Sequence, residues 1–136
     1  MPISRLSRVL KRSPRLFSSL CIDEEKAEFC SSVGSGLLWA ACLWTAKEAA
    51  VKCLGTGFWR QGVEWTDLTV ASLSNPQSFP QPERIQSSFV APLQVKTRGV
   101  ANKLIGKVYI IGTFEATPEL AISCMHLYSL QTNHSS

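Results

Sequence analysis

No two cysteines of this chain stand at CxxC spacing, and its five cysteines (Cys21, Cys30, Cys42, Cys53, Cys124) are odd in number. Nor do cysteines and histidines combine at zinc-ligand spacing. These absences argue against a zinc site and against a disulfide framework, and make a reducing cytoplasm the simplest home. Acids are missing altogether from residues 1–22, which hold Arg5, Arg8, Lys11, Arg12 and Arg15. That stretch attracts an acidic partner: a nucleic acid, an anionic membrane or an acidic protein surface. Its Arg- and Ser-rich composition also fits a mitochondrial or plastid transit segment, the alternative localisation. A membrane span is lacking too. Residues 29–46 carry no charge, but Ser31, Ser32, Gly34, Ser35 and Gly36 interrupt them, and the purely apolar part is only Leu37 to Trp44. No internal repeat occurs, and no groove-reading motif or interleaved aromatics accompany the basic start, so a nucleic-acid partner is not expected.

What remains is the composition of an ordinary globular protein, 45% hydrophobic and 18% charged over 136 residues. One domain is expected over residues 1–130, with a polar tail at 131–136. Ile3, Leu6, Val9, Leu10, Phe17 and Leu20 recur at roughly helical spacing, with the bases on much of the other surface. Asp23-Glu24-Glu25 supplies a cap and first-turn acids for a short helix to about Cys30. Between Leu37 and Leu54 there is neither proline nor glycine, and Gly55 follows as a natural C-cap. This helix is apolar on every side in its first half and should run through the core. Lys47, Glu48 and Lys52 bring charge to its second half, where Glu48 and Lys52, at i,i+4, share a face.

Downstream, the β-branched and aromatic content of Val63 to Val70 predicts a strand. Three prolines make residues 73–82 irregular, and Pro92 leaves residues 83–95 undecided. A short helix is expected from Thr97 to Ile105, then strands at Lys107 to Thr113 and Leu120 to Tyr128. The turn at Ala116-Thr117-Pro118 would join those two as an antiparallel hairpin.

Chemistry concentrates in Trp44-Thr45-Ala46-Lys47-Glu48-Ala49-Ala50-Val51-Lys52-Cys53-Leu54-Gly55-Thr56-Gly57, followed by Trp65-Thr66-Asp67-Leu68-Thr69-Val70. A bare KEAxxK could be an ordinary helix-surface ion pair, worth about 0.3–0.5 kcal/mol. With the tryptophan, the Gly-Thr-Gly and the following strand, it resembles the W-x-x-K-E-A-x-x-K-x-x-G-T-G motif and D-I-E-V strand of holo-acyl-carrier-protein synthases, in the 4′-phosphopantetheinyl transferase superfamily. Ile3-Ser4-Arg5-Leu6 and Asp23 to Cys30 are similar, more loosely, to that family's amino-terminal E-I-x-R-I and T-x-x-E-x-x-Y-C.

The resemblance implies an α+β fold with the central helix packed on an antiparallel sheet, assembled as a homotrimer with coenzyme A in clefts between subunits. It implies a Mg²⁺-dependent transfer of the 4′-phosphopantetheine arm of coenzyme A to a serine of an apo acyl carrier protein, serving fatty acid or polyketide synthesis. Phosphoryl transfer needs a cation and positive groups for developing charge. By resemblance Glu48 holds the metal and Lys52 the phosphates. Lys47, Gly55, Thr56 and Gly57 join Lys52 in binding coenzyme A, and Arg5, Arg8 and Arg12 dock the carrier protein. Three departures stand against this. The family's second metal ligand, an aspartate in a Gly-x-Asp-Ile strand, falls before Met1 in this alignment. Leu43 replaces the arginine before the tryptophan, and Ile111-Gly112-Thr113-Phe114 stands where the family has S-x-S-H. A non-catalytic remnant that binds coenzyme A or a carrier protein is therefore the alternative, with a basic nucleic-acid-binding module behind it.

Overall fold

The computed structural model describes residues 1–12, 36–54, 65–72, 79–99 and 108–129. Two helices pack on a four-stranded antiparallel sheet, the α+β arrangement expected from the sequence. The helices are α1 (Ile3–Arg12) and α2 (Gly36–Leu54); the strands are β1 (Leu68–Ser72), β2 (Phe89–Thr97), β3 (Val108–Ala116) and β4 (Ala121–Ser129), adjacent in chain order. The helix expected from Asp23, the Gly55-Thr56-Gly57 segment and the tail at 131–136 lie outside the described residues.

Helix α2 forms where the uninterrupted run of good helix formers predicts it. Because its first half is apolar all round, it is buried all round: Leu38, Trp39, Ala40, Ala41, Cys42 and Leu43 are at most 1% exposed. It lies chiefly along β4. Trp39 meets Phe79 edge-on at 5.5 Å between ring centroids, and Phe79 in turn meets Phe89 at 4.8 Å and stacks with Phe114 at 6.1 Å, tying α2 to β2 and β3 through aromatic contacts. Helix α1 is amphipathic as its spacing predicts. Ile3 and Leu6 are buried, while Arg5, Arg8, Lys11 and Arg12 are exposed.

The sheet follows period-2 alternation. Ala91, Leu93 and Val95 of β2 and Ile110, Phe114 and Ala116 of β3 face the helices, whereas Val90, Pro92 and Lys96 and Ile111, Thr113 and Glu115 face away. Three expectations change. The strand expected from Val63 begins at Leu68, after a 3-10 turn at Trp65–Asp67, because Leu68 is the residue that pairs with the last residue of β2, Thr97. For the same reason Thr97 closes a strand, so the expected helix does not begin there; Gly99 is helical, and residues 100–105 of that helix lie outside the described residues. The Arg98 N–H then bonds the Asp67 carbonyl at 2.8 Å, and Gly99 turns the chain at φ 60. A Cβ at Gly99 would also lie 2.8 Å from Asp67 Oδ1, so glycine is required on two counts. The undecided region resolves as β2. Pro92 lies within β2 opposite Thr113 of β3, one residue before the described pairing with β1 begins at Leu93–Ser72.

The expected β3–β4 hairpin forms, with Ala116 opposite Ala121. Its turn is closed by the Thr117 N–H on Leu120 O at 2.8 Å and by Thr117 Oγ1, which accepts from the Leu120 N–H at 3.1 Å. The amino end pairs with the start of β4. Met1 N donates to Ala121 O at 2.9 Å, the Ala121 N–H donates to Met1 O at 2.8 Å, and Pro2 bridges Leu120. This pairing sets where α1 starts, and hence where its first basic residue stands.

Candidate active site

A cavity of about 730 Å³ opens where α1, the second half of α2 and the start of β4 meet. Helix α2 contributes Trp44, Thr45, Glu48, Ala49 and Lys52, residues spaced at i, i+1, i+4, i+5 and i+8, which is one helical face. From α1 comes Arg5, exposed but reaching the lining, and from β4 come Ile122 and Ser123. Among the described residues Glu48 is the carboxylate of this cavity, and Arg5 and Lys52 are its side-chain cations. Such a set favours an anionic ligand whose charge exceeds that of Glu48.

The residues singled out from the sequence separate into three groups. Arg5, Glu48 and Lys52, read from two distant motifs, line one cavity. Lys47 does not join them. It is fully buried and engaged within the fold, because neighbouring helical side chains diverge by about 100° and turning Glu48 to the cavity turns Lys47 to the core. Arg8 and Arg12 continue outward from Arg5 along α1 at i+3 and i+7, forming an exposed basic stripe that leads away from the cavity. Gly55, Thr56 and Gly57 lie outside the described residues. Asp67, an alternative carboxylate, is not part of the lining. It belongs to the turn before β1.

Two hydroxyl groups were not foreseen. Thr45 Oγ1 lies 2.8 Å from Ala41 O within α2 and 2.7 Å from Ser123 Oγ on β4. The first contact is back-bonding to the carbonyl one turn earlier, and the second ties the helix to the edge strand. An isolated serine in a strand carries no sequence signal for such a place. Farther along, the Cys53 thiol donates to Met125 O at 3.2 Å, satisfying a carbonyl at the sheet edge. Burial, with a smaller contribution from nearby Cys124, raises the Cys53 thiol above its ordinary value of 9.0.

A small hard cation would find one carboxylate, Glu48, in this cavity among the described residues. Magnesium is commonly held by one or two carboxylates, with phosphate oxygens and waters completing its shell. No group of three acidic, histidine or cysteine side chains suited to a metal occurs among the described residues. None of the described helices is long and apolar enough to cross a membrane.

The chain is 36% identical over 78 residues to a holo-[acyl-carrier-protein] synthase of Cereibacter sphaeroides, covering 55% of this chain and 54% of that one. It is 35% identical over 75 residues to the synthase of Dinoroseobacter shibae, covering 55% and 53%. With that of Verminephrobacter eiseniae it shares 30% over 93 residues, covering 68% and 67%. The chain thus spans about half the length of the first two of these relatives. No solved structure matches it significantly. The sequence profile of the 4′-phosphopantetheinyl transferase superfamily matches residues 1–105, which include both helices and the cavity residues Arg5, Glu48 and Lys52, and the chain belongs to that superfamily.

Proposed function

We propose that this protein transfers the 4′-phosphopantetheine arm of coenzyme A to a serine of an apo acyl carrier protein, with Mg²⁺, as a homotrimer. The observation that carries this reading is the convergence of Arg5, Glu48 and Lys52 on one cavity from two separate motifs. Glu48 would hold the cation, which when bound neutralises the pyrophosphate of coenzyme A. Lys52, one turn on and exposed, offsets charge on the transferring phosphoryl group. Gly55, Thr56 and Gly57 follow the helix as further coenzyme A contacts, while buried Lys47 supports that wall from inside. Arg5 marks the meeting of the two substrates. From it the stripe through Arg8 and Arg12 offers successive cations to the acidic surface of a carrier protein, steering its approach.

The test is mass spectrometry of an apo carrier protein incubated with coenzyme A, Mg²⁺ and the full chain. Gain of the phosphopantetheine mass is expected, and no gain rejects the enzyme. Arg8→Glu with Arg12→Glu should raise KM for the carrier protein roughly tenfold or more, with KM for coenzyme A unchanged.

One observation favours the second reading, a binding protein without catalysis. Among the described residues the cavity holds a single carboxylate. Residues preceding Met1, continued in the register that pairs Met1 with Ala121, would run along β4 past Ile122 and Ser123, beside Thr45 and one helical turn from Glu48. A chain extended there by Gly-x-Asp-Ile is therefore expected to gain transfer activity over the chain as it stands. Equal coenzyme A binding with no transfer by either would establish the binding protein.

A further inference from the structure

We infer that Cys124 is a modification site: an exposed thiol with its own base, the His126 imidazole, that forms a mixed disulfide by exchange with a low-molecular-weight disulfide. Neither residue belongs to the cavity lining. They stand at i,i+2 on β4, so both side chains leave the sheet on the face away from the helices, and both are exposed. Cys124 Sγ lies 3.8 Å from His126 Nε2, within reach of a hydrogen bond to sulfur. The other described cysteines are placed differently. Cys42 is fully buried in the core, and the partly buried Cys53 thiol is engaged by the Met125 carbonyl at 3.2 Å. Burial, and then the neighbouring Cys124, also keeps the Cys53 thiol protonated to higher pH. Reactivity toward small molecules therefore falls to Cys124.

A cysteine attacks as its thiolate, and a free thiol is ionised to only about a few per cent near neutral pH. A base held against the sulfur takes the proton as attack begins. With its ring proton on Nδ1, His126 presents Nε2 as that acceptor, and an exposed ring exchanges its tautomers through water. The step balances as thiol–disulfide exchange. Cys124 Sγ attacks one sulfur of the disulfide, a new S–S bond forms as the old one breaks, and the departing thiolate takes the proton from His126. Cys124 is thereby oxidised and the released thiol reduced. In the β3–β4 register Thr113 stands opposite Cys124 and Ile111 opposite His126, both without charge. Glu115, one outward pair along the same face, and Cys53 on α2 are the described titratable neighbours. Ile122, Thr113, Glu115 and His126 are all exposed, so an adduct has room without displacing the core.

The test exposes the full chain, reduced and then freed of reductant, to oxidised glutathione at neutral pH. The solution is kept dilute so that chains do not cover one another's open face. Peptide mass spectrometry follows the glutathione mass at each cysteine, and the same chain in guanidinium gives each thiol's rate without neighbours. Cys124 should react roughly tenfold faster in the folded chain than in the unfolded one, whereas Cys42 and Cys53 should slow on folding. His126→Gln should return Cys124 to about its unfolded rate. Far-UV circular dichroism checks that this variant is folded, and His126→Asn carries the comparison if it is not. A Cys124 that reacts no faster folded than unfolded overturns the site. Fast reaction that persists in the folded His126 variant overturns the imidazole as its base.

Discussion

Leu43 departs from the family's motif, and its position shows why the departure is tolerated. It is fully buried in the core, in a stretch of α2 whose neighbours Trp39, Ala40 and Cys42 are buried as well. An arginine here would place an unpaired charge in an apolar interior, at a cost of about 3–5 kcal/mol, comparable to much of a domain's net stability. Leu43→Arg is therefore expected to unfold the protein or lower its urea midpoint steeply, without gain of activity; an unaffected midpoint would show that this side of α2 reaches solvent. Cys53 offers a second test, through pH. Its thiol is held above 9.0, first by burial and then by nearby Cys124, so between 9.0 and its raised value the folded state keeps a proton that the unfolded state has lost. Stability from this group is complete below pH 9 and falls as pH rises beyond it. Cys53→Ala should lose the thiol's bond to Met125 O, reducing stability at neutral pH by about 1 kcal/mol, and should flatten the alkaline part of the stability profile. Urea melts at pH 7, 9 and 10 compare the two.

The elements were unequally legible. Helix α2 could be read nearly to the residue because its boundaries are local chemistry: no breaker inside, charge at one end, apolar residues throughout the buried half. Strand limits are not local. The composition from Val63 to Val70 indicates burial, but β1 starts only where β2 supplies a partner, and Thr97 is strand because Leu68 lies opposite. In the cavity, Arg5, Glu48 and Lys52 were legible as motif residues, whereas Ser123 and Thr45 acquire meaning only when β4 is laid beside α2. The hairpin carries its own departure at Gly112, within the segment that replaces the family's histidine motif. A Cβ on Gly112 would collide with the Cys124 carbonyl oxygen and lie 2.8 Å from Met125 Sδ. Backbone cannot yield as a flexible side chain does, so β3 and β4 must part. Gly112→Ala is expected to destabilise by about 1–3 kcal/mol. Hydrogen exchange should show the loss first in the amides of Val108–Ser129, and an unchanged exchange pattern would mean that the two strands are not held so closely.

For the whole molecule, the question is what covers the far side of the sheet. Both described helices lie on one face, and the other presents Val90 at 55%, Ile111 at 42% and Ile122 at 63% exposure, with Ile111 opposite His126 and Ile122 opposite Glu115 in the β3–β4 register. Apolar side chains gathered on one open face favour association, and a closed symmetric assembly buries the same patch in every copy. Ile122 both faces outward and lines the cavity, so a subunit packed on this face would stand beside the proposed coenzyme A site. That juxtaposition supports the proposed trimer with clefts shared between subunits. Ile111→Glu separates assembly from site chemistry, because Ile111 lies on the outward face and is not part of the cavity lining. Light scattering after size exclusion should give the wild type about three times the 15.0 kDa of one chain and the variant a single chain, with the helical circular dichroism signal retained. Burying three carboxylates in one symmetric interface would cost several kcal/mol apiece, more than a marginal contact withstands. A variant that keeps the trimeric mass would place the interface elsewhere, and a monomeric wild type would leave the cavity to be completed by this chain alone.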